Sequence, residues 1–331
     1  MENDLVPRAG YELKTIDAYG LSKKLTLENL KKMCKTLKGF KEAKKIIQDF
    51  KPDIVIGTGG YICGATIWEA NKLKIPTMLH ESNAFPGKAV KMLAKKTDTI
   101  MVSFEDAIPR IDSKNKIVCT GTPVKNQKRD YTVEEKNEII KKAGLKSGKP
   151  IVLIFGGSQG AQKINEAIVE IIKQKENKEY QIMWATGPKQ YDIVKEKLEE
   201  NRISINNVEN AKIVPYIYNM EEMINISDLI VARSGAMTIT EISNLGKPSI
   251  LIPLPNVSHN HQLYNAQVLE KIGAAKIILD NDLKGENLQK TIMQILQGNT
   301  VKTMGKNALK AETKDAEDRI YNEIVQLVRK E

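Results

Sequence analysis

Short apolar runs rich in β-branched residues alternate with longer amphipathic segments along almost all of this chain, and the alternation runs through twice. The first series is Ile54-Val55-Ile56, Thr77-Met78-Leu79, Thr99-Ile100-Met101-Val102 and Lys116-Ile117-Val118. The second is Ile151 to Phe155, Gln181 to Trp184, Lys212 to Val214, Leu229 to Val231 and Ser249 to Ile252. Runs so short and so continuously apolar suit strands buried on both faces. Helical patterns lie between them, at Leu30 to Phe50, Ala161 to Lys175, Tyr191 to Asn201 and Gln262 to Ile272. A βαβα order implies parallel sheets covered by helices, with right-handed crossovers. The stretch from Lys125 to Glu138 is polar and charged, and the series restarts after it. The expected class is therefore α/β, with two doubly wound parallel-sheet domains. Residues 1–126 form the first, 127–314 the second, and an amphipathic helix within 315–331 packs back on the first. A length of 331 residues suggests two cores as well.

Composition narrows the chemistry. Cys34, Cys63 and Cys119 are odd in number and lack C-x-x-C spacing, so they imply neither a disulfide framework nor a zinc site. His80, His259 and His261 are too scattered for a metal cluster, and no cofactor is expected. No apolar run nears the roughly 20 residues that span a bilayer. The opening Met1-Glu2-Asn3-Asp4 is acidic, unlike a signal peptide, which makes the cytoplasm the default compartment. The net charge of +10 is concentrated between Lys23 and Lys51 and at Lys88, Lys91, Lys95 and Lys96, around Met92 and Leu93. Leu21, Leu25, Leu27 and Leu30 stand among Lys23, Lys24, Lys31 and Lys32, and Phe85 precedes the second basic group. Such a mixture suits an anionic membrane surface, and a solvated lysine face is the plainer reading. Nucleic acid is not expected, because aromatic residues make up 5% and no reader motif occurs.

Glycine loops mark the ends of three strand-like runs. Leu229-Ile230-Val231 leads through Ala232-Arg233-Ser234-Gly235 into the helical pattern Ala236-Met237-Thr238-Ile239-Thr240-Glu241. Free N–H groups and the positive end of a helix dipole favour an anion at such a junction. Glu241, further along, is a natural acceptor for two vicinal hydroxyls such as those of a ribose. Ile151 to Phe155 leads into Gly156-Gly157-Ser158-Gln159-Gly160-Ala161, where Ser158 offers a hydroxyl at the helix start. Ile54 to Ile56 leads into Gly57-Thr58-Gly59-Gly60-Tyr61. Neither of these two loops has G-x-G-x-x-G or Walker spacing. Ligands of doubly wound sheets bind outside the carboxyl ends of the strands, where all three loops lie. His80-Glu81-Ser82-Asn83 and Ser258-His259-Asn260-His261-Gln262 add polar groups at further strand ends. Hydrogen bonding to sugar hydroxyls and ordinary structural roles both remain open for them.

Six motifs occur together and in order: Gly57 to Tyr61, His80 to Asn83, Gly121-Thr122-Pro123-Val124, Gly156 to Ala161, Arg233 to Glu241, and His261-Gln262-Leu263-Tyr264-Asn265-Ala266. The set resembles the MurG family, the bacterial N-acetylglucosaminyltransferases that convert lipid I to lipid II in peptidoglycan synthesis. The resemblance implies a GT-B fold, two Rossmann-like domains facing a cleft. It implies an inverting transfer of GlcNAc from UDP-GlcNAc to the muramoyl 4-hydroxyl of a polyprenyl-diphosphate-linked acceptor. The place of work would be the cytoplasmic side of the cell membrane, bound peripherally. By the same resemblance Ser158 contacts donor phosphate, Ile217 the uracil, and Ala236, Met237, Thr238, Ile239, Thr240 and Glu241 hold the donor. Gln262 and Asn83 face the transferred sugar, and Gly59, Gly60 and Tyr61 form an acceptor-side loop.

The chain departs from the family pattern in three places. Lys125 stands where the family usually has Arg, replacing a two-pronged contact by a point charge. Tyr61-Ile62-Cys63-Gly64-Ala65 replaces the usual Tyr-x-Ser-Gly-Pro. Family members open with a strand, a glycine-rich loop carrying a histidine, and a helix, and this sequence begins beyond them. A first domain lacking those elements is the expectation, which leaves the catalytic base unknown and His80 and Glu81 as weak candidates. Another GT-B sugar transferase, or a remnant that binds UDP-GlcNAc without turnover, are the alternatives.

Overall fold

The computed structural model describes residues 2–17, 26–125, 128–157, 159–255 and 260–329, without the side chains of residues 4, 27–34 and 61. The chain divides into two compact units. One comprises Met1–Ser82, Pro86–Gly121 and Ala316–Glu331, and the other Asn83–Phe85 and Thr122–Asp315.

The first unit opens with helices α1 (Glu2–Arg8) and α2 (Leu27–Phe50). There follow β1 (Val55–Gly57), α3 (Gly60–Lys72), β2 (Thr77–Glu81), α4 (Lys88–Leu93), β3 (Thr99–Val102) and β4 (Lys116–Cys119). The four strands are parallel and lie in the order β1-β2-β3-β4. All the residues of β2 and β3 are buried, so their apolar runs are covered on both faces. Ile67 and Ala70 of α3 close over Leu79, Ile100 and Val102 to make the core.

The second unit begins with α5 (Val133–Lys142), whose N-terminus is a capping box. Glu135 N–H donates to Thr132 Oγ1 and Thr132 N–H to Glu135 Oε2. Then come β5 (Ile151–Phe155), α6 (Gln162–Lys173), β6 (Gln181–Ala185), α7 (Tyr191–Glu199) and β7 (Ala211–Val214). The chain continues through α8 (Met220–Ile226), β8 (Leu229–Ala232), α9 (Ala236–Asn244) and β9 (Ser249–Leu251). It ends this unit with α10 (His261–Lys271), β10 (Ala275–Ile277), α11 (Gly285–Leu296) and α12 (Thr300–Ala308). The six parallel strands are ordered β10-β9-β8-β5-β6-β7. The sheet grows one way from β5 through β6 and β7, then the other way from β8 through β9 and β10. The direction reverses between β5 and β8, the place where doubly wound sheets bind ligands. Helix α13 (Ala316–Val328) returns to the first unit, where Glu323 pairs with Lys116 at 2.5 Å.

Among the described strands, β10 is the one that sequence patterning missed. Its three residues, Ala275-Lys276-Ile277, include an exposed lysine, and at the sheet edge it needs only the one neighbour, β9. The second core is built by Ile164, Ile168 and Ile171 of α6, at helical spacing, against Val152, Ile154, Trp184, Leu288 and Ile292. Its polar atoms are matched: Trp184 Nε1–H donates to Asn165 Oδ1 at 3.1 Å, and Asn165 Nδ2–H to Thr186 O at 3.0 Å. Each sheet also carries an aspartate just before a strand that reaches to the start of its neighbour. Asp98 Oδ2 accepts Thr77 N–H and Oγ1–H, both at 2.8 Å, and Asp228 Oδ2 accepts Ile151 N–H at 2.8 Å.

Candidate functional site

The reversal point of the second sheet is lined by backbone. β5 exits into Gly156-Gly157, and β6 exits into Thr186-Gly187. Gly160 and Gly187 have φ of +80° and +88°. A Cβ on Gly160 would stand 2.2 Å from Thr186 O, and one on Gly187 2.4 Å from Gly160 Cα. The two strand-exit loops thus meet backbone to backbone, at positions where both the space and the φ demand glycine. Ser158, the hydroxyl expected in this loop, lies outside the described residues.

On the other side of the reversal, β8 exits through Arg233 and Ser234 to Gly235, the N-cap of α9. No side chain caps this helix, so its first N–H groups are left to solvent or to a ligand. Ala236, Met237 and Thr238 sit at that end, with Met237 exposed. Glu241 lies on the same face as Met237, one turn on, and is half-buried, which pushes its carboxyl above the ordinary value of 4.5. Ile239 and Thr240, expected to hold donor, turn inward: both are buried, and Thr240 Oγ1–H donates to Ala236 O at 3.0 Å. Helical phase explains the difference, because these two positions are rotated away from the face of residues 237 and 241. Their side chains belong to the core.

Asn265, which motif reading quoted without a role, joins three segments. Fully buried on α10, it donates Nδ2–H to Asn83 Oδ1 at 3.0 Å and to Ser234 O at 3.1 Å. Its Oδ1 accepts Ala84 N–H at 2.9 Å. Ser234 Oγ–H donates to Gln262 O at 2.8 Å, and Gln262 Oε1 accepts Leu254 N–H at 3.0 Å, leaving the Gln262 amide donors as its remaining polar capacity. Phe85 stacks on Tyr264 with centroids 4.6 Å apart. Arg233 does not face solvent. Its Nη1 lies 2.5 Å from Asp280 Oδ1 and donates to Ile252 O at 3.1 Å, bracing the turn into α9. The signal for Asn265 was its spacing of three from Gln262, on one helix face. Asp280 left no local signal.

Ile217 is buried in the loop between β7 and α8, flanked by Tyr216 and Tyr218, whose exposed rings meet edge to face at 5.1 Å. Lys125 is exposed. Of the sequence-derived site, Asn83, Ala236 to Thr238, Glu241 and Gln262 thus lie on segments tied together within the second unit.

In the first unit, Gly59 and Gly60 have φ of +92° and +76° with open space at their Cβ positions, and Gly59 caps α3 without a side chain. Tyr61 lies in the first turn of α3, and its side chain is outside the described residues. His80 and Glu81 are both buried and engaged. His80 Nε2 lies 2.8 Å from Gly121 O and so carries the proton, and Glu81 Oε2 accepts Gly87 N–H at 2.7 Å at the start of α4. On the expected membrane face, Met92 is 77% exposed, with Lys88, Lys95 and Lys96 exposed beside it. Leu93 is 5% exposed and belongs to the core, and Phe85 is taken by Tyr264. Trp68 adds an aromatic there, with Lys96 Nζ 3.5 Å from its ring centroid. Leu21, Lys23, Lys24 and Leu25 lie outside the described residues, as do the side chains of Leu27, Leu30, Lys31 and Lys32. Among the described residues, no helix is long and apolar enough to cross a membrane.

Comparison with known proteins joins this geometry to a family. Residues 151–320 match the glycosyltransferase family 28 C-terminal domain, and residues 1–102 its N-terminal domain. A protein from Thermoanaerobacter sp. (strain X514), named UDP-N-acetylglucosamine–N-acetylmuramyl-(pentapeptide) pyrophosphoryl-undecaprenol N-acetylglucosamine transferase, is 45% identical over 97% of this chain and 87% of its own length. One of the same name from Desulforamulus reducens is 42% identical over 100% of this chain and 87% of its own length. The crystal structure of MurG from Acinetobacter baumannii superposes with a TM-score of 0.73 at 24% identity, covering 100% of this chain and 88% of that one.

Proposed function

The chain belongs to glycosyltransferase family 28, and from that premise we infer that it is a GT-B hexosyltransferase of peptidoglycan assembly, transferring GlcNAc from UDP-GlcNAc to an undecaprenyl-diphosphate-linked MurNAc-peptide. The observation that carries the reading is the α9 N-terminus: uncapped, beside the reversal of the sheet, with a half-buried Glu241 nearly two turns along. In this reading the diphosphate lies against the α9 N–H groups and the Gly156–Gly160 loop with Ser158, and Glu241 accepts the ribose hydroxyls. Ile217 meets the uracil, and Lys125 supplies a positive charge towards the donor. Gln262 and Asn83 face the sugar, Asn83 being held by Asn265.

An inverting transfer requires that negative charge growing on departing UDP be stabilised and that the muramoyl 4-hydroxyl lose a proton. Fixed N–H dipoles at α9 meet the first need without reorganising. His80 and Glu81 are assigned to neither step, because His80 Nε2–H is held by Gly121 and Glu81 holds the start of α4. The acceptor is taken on the side of Gly59, Gly60 and Tyr61. Met92, Trp68 and the surrounding lysines give the first unit a surface for peripheral contact with the cytoplasmic leaflet.

The test is incorporation of labelled sugar into the lipid-linked acceptor with UDP-GlcNAc, UDP-glucose or UDP-GalNAc as donor. Incorporation from UDP-GlcNAc alone is expected. Equal turnover with UDP-glucose would overturn the donor assignment, and UDP-GlcNAc binding without any incorporation would favour a binding remnant.

A further inference from the structure

A cation-lined pocket lies in the second unit, at the end of the sheet opposite the donor loops. The donor loops follow the carboxyl ends of β5 and β8. The pocket is bordered by Lys247, which precedes β9, and by Asn225, which precedes β8. The four residues of β8 put these ends roughly 13 Å apart. The cavity is 290 Å³, near the lower end of the range for small-ligand sites. Lys128, Arg129, Lys136 and Lys247 line it, with Asp130 as its one carboxylate.

The pocket is built rather than incidental. Arg129 N–H donates to Asn225 Oδ1 at 3.2 Å and Arg129 Nε lies 3.5 Å from Glu221 Oε1, which docks the segment of residues 128–131 onto α8. Lys247 Nζ donates to Asn225 O at 2.6 Å and Ser227 O at 3.0 Å, and a lysine has a third donor. Tyr131 also lines the cavity, and its hydroxyl is buried with no hydrogen-bond partner among the described residues. An orphaned buried hydroxyl costs free energy until a partner arrives. Burial pushes Lys247 down to about 8; the Asp228 carboxylate opposes it, and the smaller effects of Lys136 and Lys128 add to the lowering. Four cations against the single carboxylate of Asp130 in the lining, with Glu221 and Asp228 paired from behind, leave the cavity wall net positive.

We propose that this pocket binds a phosphate-type oxyanion, separately from the donor site. Lys247 and Tyr131 donate to its oxygens, while Lys136, Lys128 and Arg129 balance its charge. A free phosphate and a lipid phosphodiester headgroup share this chemistry. The competing account is that Lys247 merely satisfies the carbonyls at the end of α8, and it requires no anion.

The experiment titrates inorganic phosphate into the full chain saturated with UDP, followed by calorimetry. Saturable binding is expected. Tyr131→Phe and Lys136→Gln should each weaken it by at least about fivefold, with UDP affinity unchanged. Lys247→Met should abolish it, and if that variant does not fold, the other two still decide. Competition by phosphatidylglycerol vesicles would assign the anion to a lipid headgroup, and lack of competition to a soluble phosphate. No saturable binding, or binding indifferent to both Tyr131→Phe and Lys136→Gln, overturns the proposal.

Discussion

A carboxylate as enclosed as Glu241 holds its proton more tightly than a solvated one, since burial disfavours its charge. Ribose hydroxyls donate to the ionised form, so the donor-bound state has the lower pKa of the two. UDP-GlcNAc affinity is therefore full above the raised pKa of the free protein and falls as pH drops through it, beginning above the ordinary carboxylate value of 4.5. Glu241→Ala should lower affinity by about 1.5–3 kcal/mol and flatten that profile, with folding stability little changed. Calorimetry on both proteins between neutral and mildly acid pH reads this out, and an unaltered affinity removes Glu241 from the site. The place of Glu241, in a helix that follows a strand and a glycine turn, was legible; its role is the proposal that this titration tests. Asn265 was not legible as a hub, because an amide within a helical pattern reads as a solvated side chain until its partners at 83, 84 and 234 are brought to it. Leu93 misled in the other direction: a leucine among lysines looks like a surface anchor, but helical phase turns it into the core.

Elements were easiest to read where a buried strand ran straight into glycine. β5 and β8 were both legible, because apolar runs covered on both faces have few other uses. β10 was hidden by its lysine and its edge position. The glycine loops looked alike in sequence, yet the structure gives them different demands. At Gly160 a side chain meets Thr186 O, whereas at Gly59 the space is open and only the positive φ resists. At φ +92° and ψ −170° Gly59 occupies a region that is essentially glycine's alone, so Gly59→Ala should cost about 1–3 kcal/mol. Gly160→Ala should cost more, pushing the loops after β5 and β6 apart and weakening UDP-GlcNAc binding at least tenfold. Thermal melts and donor titrations of the two variants check this; equal effects would show that the loop contact does not support the site.

Across the whole molecule, the doubled alternation foretold two parallel sheets, but not that residues 83–85 count with the second unit, since only contacts distant in sequence assign them. Every described segment proposed for the donor lies in that unit, whereas Met92 and its lysines lie in the first. Changing Lys88, Lys91 and Lys95 to Glu should abolish low-salt binding to anionic vesicles while leaving UDP-GlcNAc affinity unchanged. Co-sedimentation and calorimetry on one protein preparation measure both, and equal pelleting of the two forms would defeat the membrane assignment. The aspartates before β3 and β8 bear on how such a chain avoids misassembly. A strand buried on both faces has no polar side, so sliding it one residue past its neighbour exposes nothing and hydrophobicity alone scarcely opposes the error. Asp98 and Asp228 each accept one particular backbone N–H at the head of the adjoining strand, and a slipped alignment would strand both the carboxylate and that N–H. Two carboxylates thus act as index marks, supplying alignment information that continuously apolar runs such as β5 and β8 cannot encode.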